Sequence, residues 1–436
     1  MRSRTMTRSS PVLPLIKEFY LPEDLARISA LLQAQKTLII EPDSNGLFPS
    51  SSASGAKSST GYQDVWIRDN VMVASSFLLR GETNISTATM QGLTRLLESQ
   101  EERFKAIITE PAKRQDVQLR PHVRFNFRGA SENWSHAQND ALGYALWLRF
   151  LLANRGHLPI EQKELPLYCL FPRYFAAIQY WTDADSGAWE EDRKVNCSSI
   201  GAVVAGLRQM AGWLRNNAAW SSCSEDLPDL VLNLIRQGED HLRRFLPYES
   251  PPKRLADAAV LFLIHPAEVA SPEQQESVLQ IVQSDLERNR GIIRYTLDSY
   301  YGQDYPDWFD QRQLTADFSE QIDVRNAKLR PGYEAQWCIF DPLLSVIYGK
   351  KFLASPGEKH HLEQQTHYFN RSLRQLTGEM QCPELYFFRH ENWVPNPHTP
   401  LAWTQANLAL ALNLMKKSVA VTTAAAEVAK RTTPTG

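Results

Sequence analysis

Charge of neither sign is in excess in this chain. Its 436 residues carry 47 Lys and Arg against 49 Asp and Glu, a formal net charge of −2. Without a basic excess there is no electrostatic footprint for nucleic acid. Cysteine is scarce as well. The five, Cys169, Cys197, Cys223, Cys338 and Cys382, are scattered, odd in number and form no CxxC. That argues against a disulfide framework or a zinc site and fits a reducing compartment, here the cytoplasm. No apolar run reaches the roughly 20 residues of a membrane span, so no membrane partner is expected. A P-loop, a dinucleotide glycine fingerprint and a G-x-S-x-G turn are all missing. His136, His390 and His398 have no metal-ligand spacing. No cofactor and no metal are expected, and protein partners stay open.

What the chain has is aromatic residues, 11 Trp, 15 Tyr and 18 Phe, and helical periodicity. The helices come in two kinds. One is amphipathic, as in the stripes Leu21, Leu25, Ile28, Leu32 and Leu227, Val231, Leu234, Phe245, or Leu362, Phe369, Leu373, Leu376. Ser271-Pro272-Glu273-Gln274 reads as a capping box opening another. The second kind is apolar almost all round: Val71 to Leu79, Ala141 to Leu152, Ile200 to Leu214, Ala256 to Ile264, Pro342 to Tyr348 and Leu401 to Met415. A helix without a polar face is buried on all sides.

The two kinds alternate, about six times, which reads as a series of αα-hairpins with one half-exposed and one buried member. Closed into a ring, six hairpins make an all-α (α/α)6 barrel, expected here as a single domain over residues 20–417. An irregular α-solenoid would alternate in the same way, but it predicts an internal repeat, and none is visible. Residues 1–19, basic and free of acids up to Glu18, are expected as a disordered tail, as are residues 418–436. The Ser/Gly-rich stretch 40–61 and the long connection 289–335 read as loops at the mouth.

Parallel inner helices would bring their N-terminal ends to one mouth. Five polar and aromatic clusters precede those ends: Trp66-Ile67-Arg68-Asp69, Trp134 to Asp140 with Gln138, Trp189-Glu190-Glu191, Glu334-Ala335-Gln336-Trp337, and Pro383-Glu384-Leu385-Tyr386. Carboxylates beside aromatic rings suit a sugar. Trp offers a flat apolar face, and an Asp next to an Arg can clamp adjacent hydroxyls. Glu190 has an indole and a second carboxylate as neighbours, both of which favour a protonated acid; a solvated acidic turn at a helix start is the plainer account. Glu384 alone is a loop glutamate. Together the two supply the paired carboxyls of glycoside hydrolysis. Asp69 and Asp140 could equally be helix caps. Arg294, Tyr295, Asp298 and Tyr300 could hold a second sugar unit, or be scattered surface residues.

In this order the clusters resemble glycoside hydrolase family 15, the glucoamylases, and the related N-terminal region of phosphorylase kinase α/β subunits. YQDVWIRDN and WSHAQNDALG are similar to the family's first two sugar-binding motifs, GAWEEDRKVNCSSIG to its acid segment, RYTLDSYYG to its Arg-containing motif, and PELY with PLAWTQANLAL to its base segment. The resemblance implies an (α/α)6 barrel and inverting, exo-acting hydrolysis of terminal α-glucosidic bonds in maltooligosaccharides or glycogen-like α-glucans. It implies Glu190 as general acid, Glu384 as general base, sugar contact by Arg294, and a barrel-lining role for Trp403. Trp66, Arg68, Asp69 and Trp134 are then expected on the terminal sugar and Arg294 and Tyr300 on the next, with Gln138, Asp140, Trp189, Glu191, Tyr295, Glu334, Trp337 and Trp403 as further substrate contacts. WIRDN, CSSIG and PELYF lean toward the kinase relatives, so a catalytically weak glucan-binding or regulatory module is the competing reading. A phosphorylase is a third, against which Glu384 stands.

Overall fold

Residues 10–52, 61–132, 134, 136–218, 220, 224–309 and 322–432 are described by a computed structural model. Helices alternate along it between an outer and an inner layer. The outer members are α1 (Pro22–Ala34), α3 (Thr83–Glu98), α6 (Leu165–Ile178), α8 (Leu227–Phe245), α9 (Pro272–Ile281) and α13 (Lys359–Arg374), with α4 (Glu101–Thr109) as an addition that packs on α6. The inner members are α2 (Ile67–Arg80), α5 (Asn139–Asn154), α7 (Cys197–Asn216), a 3-10 helix (Ala258–Leu263), α12 (Phe340–Ala354) and α14 (Ala402–Thr432). Short α10 (Tyr305–Trp308) and α11 (Ile322–Asn326) lie in the connection before α12.

Burial follows composition. Every residue from Ala141 to Phe150 in α5 is buried, as is every one from Phe340 to Gly349 in α12. In α8 only one stripe is buried, including Leu227, Val231 and Leu234. The inner helices neighbour each other in chain order, α2 on α5, α5 on α7, α7 on the 3-10 helix, α12 on α14, and α14 back on α2. Phe262 against Phe340, ring centroids 6.1 Å apart, links the 3-10 helix to α12 and completes the ring. This is the (α/α)6 barrel. Two glycines let α5 and α7 meet backbone to backbone: a Cβ on Gly143 would lie 2.5 Å from the carbonyl carbon of Ala202, and one on Gly206 would lie 2.7 Å from the Gly143 oxygen.

The capping box forms as expected, with Gln274 N–H donating to Ser271 Oγ (3.3 Å) and Ser271 N–H to Gln274 Oε1 (2.9 Å). Three expectations are corrected. The fourth inner helix is not α over Ala256 to Ile264. Asp257 caps Ala259 N–H, and Pro266 follows closely, leaving room for two tight turns only. The C-terminal boundary at 417 does not hold, since α14 continues to Thr432 with Ser418 and Val419 buried. Its Ala-rich continuation has high intrinsic helix propensity. Nor are residues 10–19 a loose tail: Ser10 and Val12 are buried, and Asn370 Nδ2 donates to the Lys17 carbonyl at 2.7 Å. Residues 1–9 lie outside the described residues.

Two small antiparallel sheets sit among the helices. One pairs β1 (Val65–Trp66) with β2 (Arg124–Phe125), in register Val65 to Phe125. The other runs β3 (Gln336–Trp337), β4 (Leu385–Arg389), β5 (Asn392–Pro395), with Trp337 opposite Leu385. They fix the chain just before α2, α12 and α14, where the polar clusters lie.

Candidate active site

The first turn of α2 places Arg68 inside the ring mouth, where it is buried. Its Nη1 meets Asp140 Oδ2 of α5 at 3.0 Å, and its Nη2 meets Glu190 Oε1 at 2.5 Å. Glu190 follows a 3-10 turn (Gly187–Trp189) with its backbone in the left-handed region, φ 58°. Gln138 Nε2 approaches the same oxygen at 3.4 Å. No bond to Oε2 is recorded among the described residues, and the side chain is 25% exposed.

Its neighbour Glu191 is 3% exposed and saturated. Arg254 reaches Oε2 (3.1 Å), Arg294 and Arg325 reach Oε1 (3.0 and 2.5 Å), and the Tyr295 hydroxyl sits 2.8 and 2.7 Å from the two oxygens. Burial alone would raise this carboxyl, but the guanidiniums of Arg294, Arg325 and Arg254 outweigh it and hold it well below the usual carboxylate range. Arg294 is also forked onto Asp298 (2.6 and 2.7 Å) and lies over the rings of Trp189, Tyr300 and Trp337.

Glu384 approaches from the opposite part of the chain, just before β4. It is buried, and its charge meets neutral donors: Tyr62 Oη donates to Oε1 at 2.8 Å and Asn396 Nδ2 donates to Oε2. Burial pushes its pKa up to about 7, against the lowering effect of those two bonds. Asp69, hydrogen-bonded to the Ser50 hydroxyl, is likewise raised, chiefly by burial.

Glu190 and Glu384 line one cavity, with an empty volume of about 990 Å³ out to its mouth. Trp66, Arg68, Asp69, Trp134, Trp189, Glu191, Arg294, Tyr300, Trp337 and Trp403 line it too. Trp66 and Trp134 meet edge to face at 4.9 Å, with Arg124 over both rings. Trp189 is fixed by Nε1 donating to Asp257 Oδ1 at 2.8 Å, and Trp403 stacks on Phe262 at 5.2 Å.

Four residues expected on the sugar are elsewhere. Gln138 is behind the wall, accepting from Trp134 Nε1 at 3.0 Å. Asp140 is the buried partner of Arg68. Tyr295 faces Glu191 rather than the cavity. Glu334 accepts from the backbone N–H groups of Leu297 and Gly332, each at 3.0 Å, and braces the 289–335 connection. The sequence reading missed Ser50, Tyr62, His136 and Arg325, which line the cavity, and Asn396, which holds Glu384. Tyr62 lay inside the motif YQDVWIRDN and could have been found there. Arg325 and Asn396 sit in connections without periodicity and carried no signal. Residues 53–60 and 310–321 of the two mouth loops lie outside the described residues.

A family model described as glycosyl hydrolases family 15 matches residues 27–307. No curated protein matches. Among solved structures, a wild-type glycosidase is 17% identical, with 90% of this chain and 96% of that chain covered and a TM-score of 0.63. A glucoamylase from Saccharomycopsis fibuligera is 13% identical, covering 96% of this chain and 98% of that one at a TM-score of 0.60. A bacterial glucoamylase complexed with acarbose is 14% identical, covering 86% and 53% at a TM-score of 0.56. At these identities the structural likeness is one of fold.

Proposed function

Since the chain belongs to glycosyl hydrolase family 15, we propose that it is an inverting, exo-acting α-glucosidase that releases β-glucose from the ends of maltooligosaccharides or glycogen-like glucans. The observation that carries this reading is that Glu190 and Glu384, far apart in the chain, line one aromatic-walled cavity. Ligands of similar folds agree with it: one glycosidase was solved with glucose, and a bacterial glucoamylase with acarbose.

In this mechanism Glu190 protonates the leaving oxygen and Glu384 activates a water on the opposite face of the ring, which calls for carboxyls about 6.5–9.5 Å apart. The surroundings suit the roles. Arg68 bridges Asp140 and one oxygen of Glu190, and the other oxygen of Glu190 has no partner among the described residues, leaving it to face the leaving oxygen. Glu384 has a donor on each oxygen, as an ionised base needs, and a pKa of about 7 makes it a strong one for a carboxylate. Arg68 and Asp69 are proposed to hold hydroxyls of the terminal glucose, with Trp66 and Trp134 against its ring. Arg294 and Tyr300 are proposed to face the next unit. Cys197, Cys338 and Cys382 are buried free thiols, in keeping with the proposed cytoplasmic setting.

The test is to incubate the protein with maltotriose and follow the anomeric proton signals. The β anomer of glucose should appear first. Appearance of the α anomer would exclude inversion, and absence of any glucose across several α-glucans would leave a binding module.

A further inference from the structure

Glu384 is held by Tyr62, whose hydroxyl also lies 3.1 Å from that of Tyr300. The recorded backbone tie at this residue is Ser51 N–H to the Tyr62 carbonyl at 3.0 Å. The side chain is fixed instead by a ring. His398 lies flat against Tyr62, with ring centroids 3.6 Å apart and planes within 1° of parallel. His398 is 2% exposed, its Nε2 lies 3.4 Å from the Tyr301 hydroxyl, and the Tyr301 ring meets it edge-on at 6.3 Å. The same turn between β5 and α14 carries Asn396, which donates to the other oxygen of Glu384.

We propose that His398 is a positioning residue for the base: its imidazole is the platform that keeps the Tyr62 hydroxyl on Glu384. The role of Glu384 as base is that of the proposed function, on which this inference rests. One short turn thereby controls both oxygens of the carboxylate, Asn396 directly and His398 through Tyr62. Ring stacking restricts Tyr62 to the plane in which its hydroxyl meets Oε1. Burial pushes the His398 pKa down to about 4, so the platform carries no charge near neutral pH. The other titratable groups acting on Glu384 are the Tyr300 hydroxyl, 3.1 Å from that of Tyr62, together with Asp69, Arg294, Tyr301 and the Cys338 thiol. None of them replaces the donor that Tyr62 provides.

Losing the platform frees the hydroxyl. The ionised form of Glu384 loses a donor, its pKa rises, and the acid limb of kcat/KM moves to higher pH. The experiment compares Tyr62→Phe, His398→Leu, His398→Asn and His398→Phe. The Leu and Asn variants should shift the acid limb upward, as Tyr62→Phe does, and lower kcat about tenfold with KM nearly unchanged, a part of the roughly 10²–10⁴-fold due to a general base. His398→Phe, which keeps a flat ring, should restore most of the rate. His398→Leu in a Tyr62→Phe background should add nothing. An unmoved acid limb in both non-aromatic variants overturns the platform. If the wild type releases no sugar, the hydrolase reading fails by itself. The platform is then read from the infrared carboxyl band of Glu384, assigned by its loss in Glu384→Gln: an upward titration shift in His398→Leu supports it and no shift overturns it.

Discussion

Two walls of the same cavity hold the same kind of side chain by opposite means. Around Glu190 and Glu191 the wall is ionic. Arg68 joins Asp140 to Glu190, and Arg254, Arg294 and Arg325 converge on Glu191. Around Glu384 it is neutral, built from Tyr62, Tyr300, Asn396 and His398. The difference shows how a fold gives one residue type separate tasks. Guanidiniums fix a carboxylate as a structural charge, as they do for Glu191. Neutral donors in a buried site orient a carboxyl and leave it able to exchange a proton near neutrality, as for Glu384. Glu190 stands at the border, with one oxygen tied to the ionic wall and the other without a partner among the described residues.

The largest effects come from removing either border of this comparison. Glu190→Gln and Glu384→Gln should each reduce kcat on maltotriose by about 10²–10⁴-fold or more. A substrate that needs no protonation separates them. With α-glucosyl fluoride, Glu190→Gln should recover much of its rate and Glu384→Gln should not, measured by fluoride release. The reverse pattern would exchange the two roles.

Next comes the ionic wall itself. Glu191→Gln leaves three guanidiniums around a neutral amide in a buried place. Breaking such a network from one side typically costs about 3–5 kcal/mol. Urea unfolding should show a loss of that order. A loss below about 1 kcal/mol would mean that Glu191 is solvated in solution and free to meet substrate, as the sequence reading expected.

On the neutral wall the expected effect is a shift in pH dependence. With the Glu384 pKa near 7 in the free enzyme, kcat/KM should fall as pH drops below about 7, because the protonated form cannot accept a proton from water. Asn396→Ala removes a donor to the ionised form. The pKa therefore rises and the acid limb moves to higher pH. A downward shift would contradict the bond seen here.

How much of this was legible in the sequence depends on where periodicity ends. The buried helices announced themselves by lacking a polar face, so Ala141 to Leu152 and Leu401 to Met415 were readable as inner elements. The clusters ahead of them marked the mouth, and ten of the fourteen residues expected on the sugar line the cavity, as do both glutamates. Contacts within those clusters were not readable. Nothing in the string Glu190-Glu191 tells that one side chain is partly exposed in the cavity while its neighbour, at the cavity wall, is tied to arginines from positions 254, 294 and 325. That partition depends on a left-handed backbone at Glu190 and on loops that converge only in space. Glu334 misled for the same reason, since its partners are backbone groups invisible in a sequence. The strands β3 and β4 are too short to alternate visibly, though they set the position of Trp337 and Glu384.

The smallest expected effect separates two tyrosines of one motif. Tyr295 and Tyr300 were both expected on the sugar, yet Tyr295 serves the ionic wall and Tyr300 the neutral one. Tyr295→Phe removes a hydroxyl bonded to Glu191 and should cost about 1–2 kcal/mol of stability, because a bond to a charged group is lost but three guanidiniums remain. Its kcat/KM should stay within about twofold, a transition-state change under about 0.5 kcal/mol. Tyr300→Phe should do the opposite, with little change in unfolding and a several-fold loss in kcat/KM on maltotriose, because its hydroxyl stands 3.1 Å from the Tyr62 hydroxyl and its ring lines the cavity. Measured side by side, equal losses of activity in both variants would show that the two walls are coupled rather than separate. A loss of activity confined to Tyr300→Phe would tie the chemistry of Glu384 to the neutral hydroxyls around it.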